Sequence, residues 1–242
     1  MIFYIIILGT KKKYKINKLG GLIMSKKLKV VDMFAGTKSI SKRFELRGHE
    51  TYAIEWDKSH ANIDWYADIT KVNKEDIIER FGVPDVMWFS CPCEKFSVAA
   101  IGRHWIKGTN LPKTEDTQKA LELLEHCVKL AKEMLEVNPN MIYFFENPRG
   151  KMRKMDCMQD FPRYTVTYCQ YGDTRMKPTD IWTNHPDPKF KPCCKNGDPC
   201  HTPAPRGSQT GTQGMRGAKE RSVIPEQLCE HIVDICEEYF NI

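Results

Sequence analysis

The chain has 242 residues, 41% apolar and 28% charged, enough for one full core or one domain with a small appendage. Its ten cysteines are spread along a long chain with no secretory signal, which argues against a disulfide scaffold and for reduced thiols in an intracellular protein. A net charge of +6 permits an anionic partner without requiring one.

The apolar run Ile2 to Leu8 is far short of the roughly 20 residues that cross a bilayer. Lys11, Lys12 and Lys13 follow it, the reverse of a signal peptide, so no membrane association is expected. Met24 is a second candidate start, which makes residues 1–23 an extension outside the functional protein. From Leu28 onward, short β-rich runs alternate with helical patterns, the signature of an α/β fold with a mostly parallel, doubly wound sheet. Strands are predicted at Lys29 to Met33, Thr51 to Ile54, Val86 to Phe89, Met141 to Phe145, Tyr164 to Tyr168 and Asp180 to Trp182. A helical pattern surrounds Ile40 and Phe44. A longer helix is expected from about Thr114 to Val137, with Leu124, Cys127, Ala131 and Met134 on one stripe and Pro139 ending it. Between Asn184 and Arg221 the pattern gives way to Pro, Gly, Cys and charge, which suggests a small insertion over residues 184–221. A last helix begins near Pro225 and buries Leu228, Ile232 and Ile235, returning residues 222–242 to the main domain of residues 24–183.

Several positions carry chemistry. The first strand runs through Asp32 and Phe34 into a turn at Gly36, where backbone N–H groups can approach a ligand closely. Glu55 ends the second strand, where an acid can accept hydrogen bonds from ribose hydroxyls; Trp56 beside it can cover an adenine, and Asp68 can meet another polar edge. Each of these is also compatible with an ordinary loop residue. Cys93, in Ser90 Cys91 Pro92 Cys93, stands where the third apolar strand ends, placed either to attack an electrophile or to pack as a small hydrophobe. An unperturbed thiol is only about 3% ionised at neutral pH, and a helix N-terminus after Pro92, with Lys95 nearby, is expected to lower the Cys93 pKa. Glu146 ends a very apolar strand, where burial favours its protonated form. Cys193, Cys194, Cys200 and His201 have the composition of a zinc site, although adjacent ligands chelate poorly, so exposed or buried thiols are the alternative.

Together these segments resemble the DNA cytosine-5 methyltransferases from about Lys29 to Ile235. Asp32 Met33 Phe34 Ala35 Gly36 resembles the family's first S-adenosylmethionine motif, Glu55 Trp56 Asp57 its ribose-binding segment, and Ala67 Asp68 Ile69 its adenine-contacting motif. Pro92 Cys93 Glu94 Lys95 Phe96 Ser97 resembles the nucleophile motif. Glu146 Asn147 Pro148 stands where the family has Glu, Asn, Val, and Ser222 Val223 Ile224 Pro225 resembles the last motif. The resemblance implies methyl transfer from S-adenosylmethionine to C5 of a cytosine flipped out of double-stranded DNA. Cys93 then adds at C6 and Glu146 acts at N3, while Arg175 and Lys177 hold the flipped base and its phosphate. Ser97 and Asn147 are expected to contact substrate, and Arg206 and Arg216, in a Gly-rich loop, the DNA backbone. The same chemistry on RNA or a free pyrimidine nucleotide, or a catalytically silent DNA-binding module, are the alternatives.

Overall fold

The computed structural model describes residues 2–7, 10–16, 22–24, 26–98, 101–203 and 217–242. Strands β1 (Ile2–Ile7), β2 (Thr10–Ile16) and β3 (Leu22–Met24) pair antiparallel in a small sheet. Among the described residues, seven further strands form the main sheet: β4 (Lys29–Met33), β5 (Glu50–Glu55), β6 (Trp65–Tyr66), β7 (Val86–Phe89), β8 (Ile142–Pro148), β9 (Arg163–Thr167) and β10 (Pro178–Thr183). Their order is β6-β5-β4-β7-β8-β10-β9, parallel from β6 to β8, with β10 antiparallel to both of its neighbours. The expected mostly parallel α/β sheet is therefore present, and β4 and β7 match their predicted bounds.

Side-chain alternation explains why the strands read as unbroken apolar runs: both faces are covered. Val31, Met33, Met87, Phe89, Tyr143 and Phe145 enter one core with Leu124, Cys127, Ala131 and Met134 of α4 (Glu115–Val137). Val30, Val86, Trp88, Ile142 and Phe144 enter the other. There they meet Ile40 and Phe44 of α1 (Ser39–Leu46), and Leu228, Ile232 and Ile235 of α6 (Glu226–Tyr239). Each such fully buried side chain contributes roughly 1.5–3 kcal/mol. Arg43 of α1 and Arg47 just beyond its end reach Glu230 of α6 at 3.0 and 3.3 Å and tie the two helices at the surface. Between β6 and β7 lies α2 (Lys74–Arg80), which hydropathy alone did not reveal. Its start is fixed by a capping box in which Asn73 and Asp76 satisfy each other's backbone N–H groups. The short helices α3 (Ile101–His104) and α5 (Ala218–Ser222) complete the set. Residues 184–203 contain neither strand nor helix, in keeping with the sequence pattern there.

Candidate active site

The parallel strands deliver their carboxyl ends to one rim, and most of the predicted site residues lie on it. After β4, positive φ recurs at Phe34 (60°), Gly36 (49°) and Lys38 (57°). A bulky residue held at φ 60° marks a turn that its surroundings over-determine. Alternation of this kind turns backbone N–H groups into a concave cradle. Part of the cradle is filled from within, because Glu55 Oε2 accepts from Gly36 N–H at 2.9 Å while its Oε1 accepts from Trp56 and Asp57 N–H at 2.8 and 3.0 Å. Asp32 takes no place on the rim. It is buried and accepts from Ser41 N–H at 3.2 Å and Ser41 Oγ at 2.6 Å, replacing the side-chain cap that α1 lacks at Lys38. Burial pushes its pKa up to about 6 despite the serine hydrogen bonds. Trp56 is 66% exposed beside Glu55. Asp68 caps a 3-10 turn over Ile69–Lys71 by accepting from Thr70 N–H at 3.1 Å, and Ile69 is buried in the core. A cavity of about 660 Å³ adjoins the turn at Thr37 and Ser39 and is closed by Val223, Ile224 and Cys229. It does not reach Glu55 or Trp56. Ser222 is exposed, its Oγ donating to Lys219 O at 2.8 Å.

Two strands away, Cys91 and Cys93 part company on either side of Pro92. Cys91 is buried against Cys127 of α4, and that neighbour together with burial pushes its pKa well up. Cys93 is half-buried on the rim. The predicted helix N-terminus is absent: residues 94–96 form a turn in which Phe96 and Ser97 N–H donate to Cys93 O at 3.1 and 2.9 Å. Accordingly the Cys93 pKa is raised, by burial first and then by the Glu146 carboxylate, while the nearby cation that opposes this is Lys177 and not Lys95. The loop is held from β8 on two sides. Asn147, fully buried, donates from Nδ2 to Cys91 O at 2.8 Å, and Lys151 N–H donates to Phe96 O at 2.6 Å. The second contact demands Gly150, since a Cβ there would stand 2.2 Å from Phe96 O.

Glu146 is buried at the end of β8 and accepts from the Tyr168 hydroxyl at 3.0 Å. Desolvation raises its pKa, with Lys177 and Tyr168 opposing. Tyr168 was predicted as the end of a strand. Instead β9 stops at Thr167, and Tyr168 opens a 3-10 turn over Tyr168–Tyr171, which turns its ring toward Glu146. Lys177, held at φ 27° just before β10, places Nζ 4.5 Å from the centre of that ring and donates to Arg221 O at 2.9 Å. Burial lowers its pKa, while the charges of Glu146 and Cys93 act to raise it. Arg175 shares the Arg221 O acceptor with Lys177 and stands 5.9 Å from the centre of the Tyr168 ring. It clasps Asp173, with Nε at 2.9 Å from both carboxylate oxygens, and reaches Arg221 O and Val223 O at 3.4 and 3.5 Å.

Residues 28–157 match the family model described as C-5 cytosine-specific DNA methylase. The chain belongs to this family. A relative from Frog virus 3 (isolate Goorha), named "Probable DNA (cytosine-5)-methyltransferase", is 28% identical over 229 residues, covering 86% of this chain and all of that one. Among solved structures, the Entamoeba histolytica methyltransferase EhMeth overlays with a TM-score of 0.47 at 10% identity, over 66% of this chain and 53% of that one. The S. pombe Dnmt2 methyltransferase overlays with a TM-score of 0.43 at 11% identity, over 65% and 49%. The chain thus spans about half the length of these solved structures. Membership supports cytosine-5 methylation as the activity.

Beyond the matched segment, this family member carries the Cys/His cluster in altered form. Cys193 is not part of it: the thiol donates to Thr165 O at 2.9 Å. Its place is taken by Cys169, whose Sγ lies near those of Cys194 and Cys200 and the His201 ring. Neither Tyr168, the last residue of a predicted strand, nor Cys169 just after it stood out in the sequence. Arg206 and Arg216 lie outside the described residues. No helix among the described residues is long and apolar enough to cross a membrane.

Proposed function

We propose that the protein transfers a methyl group from S-adenosylmethionine to C5 of cytosine in double-stranded DNA, through a covalent Cys93 adduct on a flipped-out base. The observation that carries this reading is the convergence on one rim of a half-buried thiol, a buried carboxylate of raised pKa and a lysine coupled to both. The cofactor fits the other half of the rim. Glu55 is an acceptor at the strand end, the Trp56 indole presents an open face, and Gly36, half-buried, is already bonded to Glu55 through its N–H. Bound there, the cofactor supplies an electrophilic methyl group.

The remaining chemistry falls to this chain. C5 of cytosine is a poor nucleophile until a thiolate adds at C6. In the resting pocket burial holds the Cys93 proton, and the Glu146 charge further disfavours a second anion. Moving that proton onto Glu146 removes the opposing charge, leaves the thiolate facing Lys177, and loads the carboxyl with the proton needed at cytosine N3. Attack at C6 and donation at N3 then neutralise each other's charge, which is worth about 10²–10⁴ in rate. Once C5 has accepted the methyl group, loss of the C5 proton to solvent, expulsion of Cys93 as the thiolate and return of the N3 proton to Glu146 restore the ring. Tyr168 orients Glu146 throughout. Arg175, locked onto Asp173 and the carbonyls of residues 221 and 223, positions the returning C-terminal segment. We assign residues 24–183 and 222–242 to catalysis and residues 184–221, with Arg206 and Arg216, to target recognition.

The test is methyl transfer from labelled cofactor to duplex DNA, with the modified base mapped and DNA containing 5-fluorocytosine used as a trap. Wild type should form a denaturant-resistant adduct and Cys93→Ala none, with activity falling roughly 10⁴-fold or more. Cofactor-bound wild type that neither methylates nor is trapped would overturn the reading, and methyl appearing only on RNA or free nucleotides would reassign the substrate.

A further inference from the structure

We propose that Cys169, Cys194, Cys200 and His201 bind one structural zinc ion, and that this ion fastens the irregular segment 184–203 to the turn that carries Tyr168. The four ligand atoms lie within 4.8 Å of one another. Cys200 Sγ stands 3.6 Å from Cys169 Sγ and 3.6 Å from His201 Nδ1, and Cys194 Sγ stands 3.7 Å from the same nitrogen. A tetrahedral zinc with Zn–S of about 2.3 Å and Zn–N of about 2.0–2.1 Å requires ligand edges of about 3.6–3.8 Å, so these three edges already fit. The Cys169 Sγ to Cys194 Sγ edge is 3.1 Å; it must open by about 0.7 Å on binding and is far longer than the roughly 2.05 Å of a disulfide bond.

Chain geometry removes one of the two adjacent pairs that made the motif look unfavourable. Cys193 turns away to Thr165 O, and a ligand from 25 residues upstream of Cys194 replaces it. Backbone and side-chain groups also surround the sulfurs: Cys194 N–H donates to Thr167 Oγ1 at 3.0 Å, and Gln170 Nε2 lies 3.5 Å from Cys200 Sγ. The segment needs such a fastening. With neither strand nor helix, the segment buries Pro188 and Cys194 and adds the partly buried Phe190. A metal supplies the stability that a missing core cannot. Because Cys169 follows Tyr168, the ion would also fix the turn from which Tyr168 reaches Glu146; this consequence alone rests on the function proposed above.

The full chain, purified under reducing conditions and dialysed against metal-free buffer, is analysed for metal and reconstituted with Co²⁺. One zinc per chain and the ligand-field spectrum of tetrahedral cobalt–thiolate are expected. Cys193→Ser should keep the zinc, whereas Cys169→Ser should lose it, with affinity falling by at least about 10–100-fold. Metal-free wild type that fails to take up Co²⁺, a Cys169–Cys194 disulfide by mass spectrometry, or zinc lost in Cys193→Ser but kept in Cys169→Ser would each overturn the proposal. Wild-type metal content and the cobalt spectrum decide the matter even if Cys169→Ser does not fold. None of these readouts uses methyl transfer, so failure of the catalytic reading would leave them unaffected.

Discussion

Glu55 and Glu146 both end parallel strands on the same rim, yet their surroundings give them opposite capacities. Glu55 spreads its oxygens over three backbone N–H groups and borders an open indole, the environment of a fixed acceptor. Glu146 has one hydroxyl donor, lies in the core, and has its pKa raised by desolvation, the environment of a carboxyl that can carry a proton. Both side chains are buried, at 9% and 7% exposure, so the number of hydrogen-bond donors, not residue type, strand position or exposure, distinguishes the two acids.

The sharpest way to break this contrast is Glu146→Gln. Methyl transfer should fall roughly 10²–10⁴-fold. Yet alkylation of Cys93, followed by mass spectrometry at neutral pH, should speed up, because the charge that raises the thiol pKa is gone. Unchanged alkylation would show that the two groups do not share a pocket. A second carboxylate probes burial without catalysis. The native Asp32 carboxyl holds its proton up to about pH 6, against 3.8 ordinarily, so between those values the native state binds more protons than the unfolded chain. Stability contributed by Asp32 should therefore fall as pH rises through that window, by on the order of 3 kcal/mol. Denaturation of Asp32→Asn should lack that slope.

Next in size, Gly150→Ala drives a Cβ into Phe96 O and should cost about 1–3 kcal/mol by urea unfolding, with a loss of kcat from the displaced Cys93 loop. The smallest stability effect belongs to Trp56→Ala, within about 0.5 kcal/mol because the ring is exposed. Its signature should be a raised KM for the cofactor with little change in kcat, and an unchanged KM would remove Trp56 from the cofactor site.

Short unbroken apolar runs made the central strands legible, since a sheet covered on both faces needs no partner information to be recognised. Stripe and stop signals did the same for α4 and α6. Legibility failed where a side chain's role depends on what folds back against it. Asp32 looked like a ligand acid but serves as the cap of α1, which no local signal distinguishes. Lys95, next but one to Cys93, looked like the activating cation, whereas Lys177 occupies that position from 84 residues away.

The α/β alternation was determined by sequence alone, because local periodicity encodes it, and the motifs in their order carried the resemblance to the family and, with it, the choice of Cys93. Tertiary structure decided which charges face Cys93, that its resting pKa is raised, that Tyr168 holds Glu146, and that Cys169 displaces Cys193 from the cluster. Those outcomes depend on through-space distance and desolvation, which arise only when β8, the turn after β9 and the segment after β10 are brought together.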